Sequence, residues 1–145
     1  MIMPRLIDKS MVAPCGVNCM VCYVHLKKKK PCPGCMSEDA AGKPLRCCNC
    51  QIKTCSDSRG ISRCFMCSDF PCKHIKSLDR SYKTRYNTSI VGNGNSILND
   101  GFEVFLANEK LRWSCSKCGG VVSVHDGICS ECGFNFRDAD LVSLL

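Results

Sequence analysis

The sequence predicts a small metal-stabilised α+β protein: an irregular cysteine-rich N-terminal zinc domain, a helical middle segment and a C-terminal zinc ribbon of β-hairpins. Three observations carry that expectation. Sixteen of the 145 residues are cysteine. Twelve of them fall within residues 15–72, none within 73–112 and four within 113–132. Apolar residues other than cysteine make up about a third of the chain, thin for one packed core.

Six cysteine pairs are separated by two residues: Cys19/Cys22, Cys32/Cys35, Cys47/Cys50, Cys64/Cys67, Cys115/Cys118 and Cys129/Cys132. Neighbours at this spacing can turn both sulfurs onto one ion, whereas a disulfide between them closes a tiny, strained ring. Residues 1–14 lack the uninterrupted apolar block of a secretory signal, and no stretch approaches the roughly 20 apolar residues of a membrane span. A cytoplasmic location with reduced, metal-bound cysteines follows as the expectation.

In chain order, residues 1–14 read as an N-terminal leader and 15–80 as the cysteine-rich metal-binding domain. Asn18 is a plausible cap for a helix running to Lys28, with Cys19 and Cys22 one turn apart on one face. Pro31, Pro33 and Gly34 then force a turn. A second helix is predicted to start at Ser68-Asp69-Phe70-Pro71 and to continue with Ile75, Leu78 and Tyr82 at helical spacing. Residues 81–112 form the helical middle segment. Within it, Val91-Gly92-Asn93-Gly94-Asn95-Ser96 reads as a linker, and a third helix is expected from Gly101 to Trp113 with Phe102, Phe105 and Leu106 on its core side. Residues 113–136 form the zinc ribbon and 137–145 a C-terminal tail.

The ribbon carries the most specific signal. Cys115, Cys118, Cys129 and Cys132 supply four thiolates, which satisfy tetrahedral zinc and leave no open position. Gly119 and Gly133 follow each pair where a tight knuckle bends, Val121, Val122 and Val124 alternate like a strand, and His125-Asp126-Gly127 reads as the turn between strands. Pairing the remaining couples by adjacency groups Cys19, Cys22, Cys32 and Cys35 as one closed site and Cys47, Cys50, Cys64 and Cys67 as another. Cys15, Cys48, Cys55 and Cys72 are left for a third, with His25 or His74 as substitutes. Cys72 is the strongest ligand of these, because a helix start favours a thiolate. Three or four zinc ions are expected.

The order Cys15-Gly16-Val17-Asn18-Cys19-x-x-Cys22, Cys32-Pro33-Gly34-Cys35, Cys50-x4-Cys55 and Cys64-x-x-Cys67-Ser68-Asp69-Phe70-Pro71-Cys72 resembles a bacterial and archaeal cysteine-rich family known as domain of unknown function 3795, over roughly residues 13–80. The resemblance implies a small metal-binding domain and brings no established activity. Cys47 and Cys48 are additions to the family's pattern, which leaves open a site that takes Cys50 together with Cys55. The ribbon lies outside the resemblance.

The function these features favour is a non-catalytic zinc protein that engages a macromolecular partner, most simply another protein. An iron–sulfur cluster in residues 15–72 is the alternative, since sulfur ligands alone do not separate the two and Cys15-x3-Cys19-x2-Cys22 has the spacing of a cluster-binding triad. Thiol redox chemistry at Cys32-Pro33-Gly34-Cys35 ranks third, because no strand precedes that motif. No catalytic residues are expected: Glu38, Asp57 and Asp69 lie singly among polar neighbours. The net charge of +7 does not by itself argue for nucleic acid. Each zinc with four thiolates subtracts two charges, so four such sites take the chain to −1. Lys27–Lys30, and Lys73, Lys76, Arg80, Lys83 and Arg85 after Cys72, could hold a phosphate backbone weakly and in a salt-sensitive way. No membrane association is expected.

Overall fold

The computed structural model describes residues 1–37 and 42–137; the side chains of Arg46 and Cys48, and all but the first residue of the expected C-terminal tail, lie outside the described residues. The fold is mostly helical: α1 (Tyr23–Leu26), α2 (Leu45–Cys48), α3 (Gln51–Ser58), α4 (Lys73–Tyr86) and α5 (Ile90–Trp113), with 3₁₀ turns at Lys9–Met11, Cys19–Val21 and Cys64–Met66. Among the described residues no helix is long and apolar enough to cross a membrane.

Where the expected helix from Asn18 to Lys28 would run, the chain makes two short pieces. Asn18 does act as a cap, its side chain accepting from Met20 N at 3.1 Å, but the turn it opens is 3₁₀ and ends at Cys22, which is extended with ψ 133°. Exiting there buries Met20 and Val21 side by side, which a continuous helix would divide between two faces. Cys64–Met66 repeats the device, with Cys67 extended at ψ 140° and Phe65 buried. Both Cys-x-x-Cys segments are therefore tight knuckles, the first burying Met20 and Val21 and the second Phe65, with Met66 exposed.

Helix α4 begins later than expected, with Cys72 rather than Ser68 or Asp69 at its cap position. It ends at Asn87, a left-handed residue of φ 52°, where asparagine's short polar side chain is tolerated. Ser89 opens α5 by accepting from Gly92 N at 2.9 Å. The Asp79 carboxylate binds the two helices together, accepting from Ser89 Oγ at 2.8 Å, Val91 N at 3.1 Å and Lys83 Nζ at 3.2 Å. Burial opposes ionisation there, but the Val91 amide, the Ser89 hydroxyl and Lys83 together hold the carboxyl below its usual range.

The linker expected at Val91–Ser96 is instead the first half of α5. Its glycines serve packing: a methyl at Gly94 would stand 3.0 Å from both Phe65 and Phe70. The helix lets the Phe65 knuckle press against its backbone, while Asn93 Nδ2 donates to Gly16 O at 2.9 Å. Gly101, at φ 87° and ψ 165°, interrupts the helical path, and the second half runs on to Trp113 as the aromatic spacing implied.

One core draws on almost every segment. Met3, Ile7, Val12, Met20, Val21 and Leu26 meet Phe65, Ile97, Phe105 and Leu106 of the middle and Val121 and Val124 of the C-terminal part. Burial of each such side chain contributes about 1.5–3 kcal/mol. Arg63 ties the first residues in, donating to Val12 O at 2.9 Å and Lys9 O at 2.7 Å with its guanidinium 5.4 Å from the Phe102 ring centre. The C-terminal lobe docks on the same segment: Ile2 bridges Gly120, Val121 N donates to Met1 O at 2.8 Å, and Val124 N donates to Val21 O at 3.0 Å.

The β-hairpins expected of a zinc ribbon do not form among the described residues. Ser114–Val121, Val122–Cys129 and Ile128–Asn135 are isolated antiparallel bridges. The physical reason is that each bridge closes at once over a tight turn, the knuckles at residues 115–120 and 129–134 and the turn at 123–128, so no ladder accumulates.

Candidate metal centres

The C-terminal centre is built from two copies of one turn. Gly119 N donates to Cys115 O at 2.9 Å and Cys115 N to Gly120 O at 2.7 Å; in the second copy Gly133 N donates to Cys129 O at 3.0 Å and Cys129 N to Phe134 O at 2.9 Å. Each turn closes only with a left-handed residue at its fifth position, and Gly119 and Gly133 supply φ 79° and 76°. The bent backbone aims amides at sulfur: Lys117 N and Glu131 N lie 3.3 and 3.4 Å from the Sγ of Cys115 and Cys129, and Gly120 N lies 3.4 Å from Cys118 Sγ.

The four sulfurs converge. Cys115 and Cys132 Sγ are 3.7 Å apart, Cys118 and Cys129 Sγ 3.5 Å, and all four lie within 4.8 Å of one another. Four sulfurs held about 2.3 Å from one ion at tetrahedral angles stand about 3.8 Å apart, so the spacing fits a single metal. Protonation shows the same pull. At Cys129 burial resists ionisation, but the amides of Cys132 and Glu131 and hydrogen bonds from the Cys118 and Cys115 thiols outweigh it and bring the thiol down to about 7. At Cys118 the Gly120 amide favours the thiolate, yet burial and the hydrogen bonds shared with Cys129, Cys132 and Cys115 push it up to about 12. Without an ion the group shares protons; a cation takes their place. Trp113 and Phe136 pack against Cys115, Val122 and Cys129, and Phe134 meets Phe136 edge-on at 4.7 Å.

His125 lies in the expected turn and faces away from the ligands. Its ring meets Tyr23 at 4.8 Å, Tyr86 at 4.7 Å and Tyr82 at 6.0 Å, joining the lobe to α1 and α4. Nothing in the sequence flags this cluster, because its members come from three distant segments.

The N-terminal cysteines are arranged differently. No disulfide joins the described ones. Around Cys35, its amide lies 3.5 Å from Cys19 Sγ; the Cys19 thiol, then burial and the charge of Cys19, raise the Cys35 thiol, with Lys43 and Lys53 pulling the other way. Burial first, then Cys35 and Cys32, push Cys22 up to about 11 against the amides of Val24 and His25. A second neighbourhood surrounds Cys64, pushed up to about 11 by burial and then by Cys72, Cys55, Cys67 and Cys50. Cys15 stands between the two: burial raises its thiol despite the Val17 amide, and Cys35, Cys50 and Cys64 all add to the rise. Cys47 and Cys50 line a cavity with members of the first group. Cys48, left over in the sequence reading, has its side chain outside the described residues.

Of the suggested histidine substitutes, His25 Nδ1 bonds Cys32 O at 2.6 Å and His74 is exposed on α4. Arg59, which no sequence pattern marks, donates to Cys67 Sγ at 3.1 Å and to Asp69 at 2.9 Å. Its guanidinium is stabilised first by Asp69 and then by the charges of Cys67 and Cys55, so it serves as counter-charge at the second group. Asp57 pairs with Lys53 at 3.0 Å, one helical turn away.

Residues 11–77 match the family described as Protein of unknown function (DUF3795). The DUF3795 span takes in every cysteine from Cys15 to Cys72 and stops before α4 ends, so the C-terminal four-cysteine centre stands outside it. No curated protein and no solved structure matches the chain.

Proposed function

We propose that the protein is a non-catalytic zinc protein in which Cys115, Cys118, Cys129 and Cys132 hold one structural ion and residues 15–72 bind further metal, the whole serving as a module that engages another protein. The observation that carries this reading is the convergence of four sulfurs at the edge lengths of a single tetrahedral ion, with every position filled by protein. A structural zinc of this kind contributes about 10–16 kcal/mol of apparent binding energy, which lets a lobe with few apolar residues hold its shape. Zinc fits better than copper or nickel, because a tetrahedral all-thiolate set selects zinc or iron.

Support for a protein partner comes from the surface. Leu98, Val104 and Leu111 stand 56, 48 and 79 % exposed on α5, and Leu6, 80 % exposed, follows Arg5, whose carbonyl accepts from Lys110 at 2.6 Å. A protein partner would cover this apolar surface. Elemental analysis tests the metal reading: one equivalent of zinc should vanish in Cys118→Ser, and iron at that position in the wild type would overturn zinc. Titration with random oligonucleotides tests the partner. Weak binding lost with added salt is expected, and tight binding that survives raised salt would replace the protein partner with nucleic acid.

A further inference from the structure

The two sets of cysteines differ in a way their identical Cys-x-x-Cys spacing does not show. The C-terminal sulfurs converge, all four within 4.8 Å of one another. In the N-terminal half, Cys15, Cys19, Cys22, Cys35, Cys47 and Cys50 surround a cavity of about 470 Å³. Among the described residues, only the C-terminal set has three or more potential ligand atoms all within 4.8 Å of one another. The N-terminal thiols are thus gathered around a volume, with Cys19 and Cys35 side by side on its wall.

That volume is far larger than one ion needs, since a closed four-thiolate site leaves no free space between its sulfurs. An iron–sulfur cluster places several irons and inorganic sulfides between its thiolates, and its protein sulfurs stand correspondingly further apart. The walls suit such an occupant. Ala13, Val17, Ile52 and Leu78 supply apolar surface, and Lys43 supplies positive charge against an anionic thiolate cluster, while Lys53 on the same wall is paired with Asp57. We propose that this cavity binds an iron–sulfur cluster, with Cys15, Cys19 and Cys22 ligating from one segment and Cys35 from the turn that packs against Cys19. Cys35 joins the set by geometry: its amide lies 3.5 Å from Cys19 Sγ, and it lines the same cavity as Cys15 and Cys22. The cluster replaces the zinc ions that spacing alone predicts for this part of the chain, and it is independent of the C-terminal centre.

The full chain, purified without oxygen, is assayed for iron, acid-labile sulfide and zinc. The expected result is iron and sulfide in equal amounts together with about one zinc, and a visible absorption bleached by dithionite. In Cys15→Ser and Cys22→Ser the iron and sulfide should fall at least tenfold while the single zinc stays, which also reports that the C-terminal lobe is folded. Zinc at two or more equivalents without sulfide in the wild type would overturn the proposal, as would sulfide retained by both Cys15→Ser and Cys22→Ser. Reconstitution of the wild type with ferrous iron and sulfide removes dependence on the expression host: failure to take up sulfide there also overturns it. Loss of the C-terminal zinc alone would instead count against the function proposed above.

Discussion

Adding one methyl group at Gly120 should damage the C-terminal metal centre without touching a ligand. A Cβ there would stand 2.8 Å from Cys129 Sγ and 2.8 Å from Glu131 Cβ. Contact between such atoms becomes favourable near 3.5 Å, so something must move by about 0.7 Å. Neither neighbour moves freely: Cys129 is 2 % exposed, its amide is bonded to Phe134 O at 2.9 Å, and its sulfur accepts from Glu131 N at 3.4 Å. Metal–ligand distances tolerate only about 0.2 Å, so the strain falls on the Cys129 bond to the ion. Gly120→Ala should therefore weaken zinc binding by about tenfold to a hundredfold, about 1.4–2.8 kcal/mol. Competition against a chromogenic chelator measures the affinity, and cobalt(II) substituted for zinc reports the tetrahedral sulfur field by its visible bands. Trp113, the single tryptophan and a neighbour of Cys115 and Cys129, gives an independent fluorescence signal. A variant whose chelator curve and cobalt spectrum both match the wild type would refute the geometry.

Asp79→Ala removes the acceptor for Ser89 Oγ and Val91 N and should cost about 1.5–3 kcal/mol in urea unfolding at neutral pH. Because the folded state holds this carboxyl below its usual range, its contribution is present above the ordinary carboxylate pKa and is lost as pH falls through the folded value; the wild-type and variant midpoints should converge in acid. Glu109 behaves oppositely: burial raises its carboxyl despite the hydrogen bond from Asn18 Nδ2 at 3.4 Å, the charge of Arg112 and the Trp113 side chain. The folded state then binds this proton more tightly than the unfolded chain, and stability declines as pH rises above the ordinary carboxylate range. Glu109→Gln should remove that decline and raise Tm at pH 7 but not in acid; equal Tm at pH 7 would count against a raised carboxyl. Gly94→Val, placing its Cβ 3.0 Å from Phe65 and Phe70, should lower stability by about 1–3 kcal/mol, and an unchanged denaturation midpoint would show that the α5 contact is looser than drawn.

The sequence alone determined the C-terminal four-cysteine cluster. Four cysteines in two pairs, each followed by glycine, specify a local turn whose amides must face sulfur, and the observed Cys115–Gly120 and Cys129–Phe134 turns follow from that local chemistry. It also marked the helices around Ile75 and Phe105, because apolar spacing is a local property. The helical reading of Val91–Ser96 was out of reach: glycine and asparagine disfavour helix, and what overrides them is the contact of Gly94 with Phe65 and Phe70, which come from a knuckle some 25 residues earlier in the chain. The placement of Cys15 between two groups of thiols was equally hidden, since identical Cys-x-x-Cys spacings carry no information about which pairs meet. Only the tertiary structure decided that one set of cysteines would close on a point and the other around a cavity. Spacing fixes how two neighbouring sulfurs can be turned, while the distance between pairs is set by the packing of Met20, Val21, Phe65 and the helices against them.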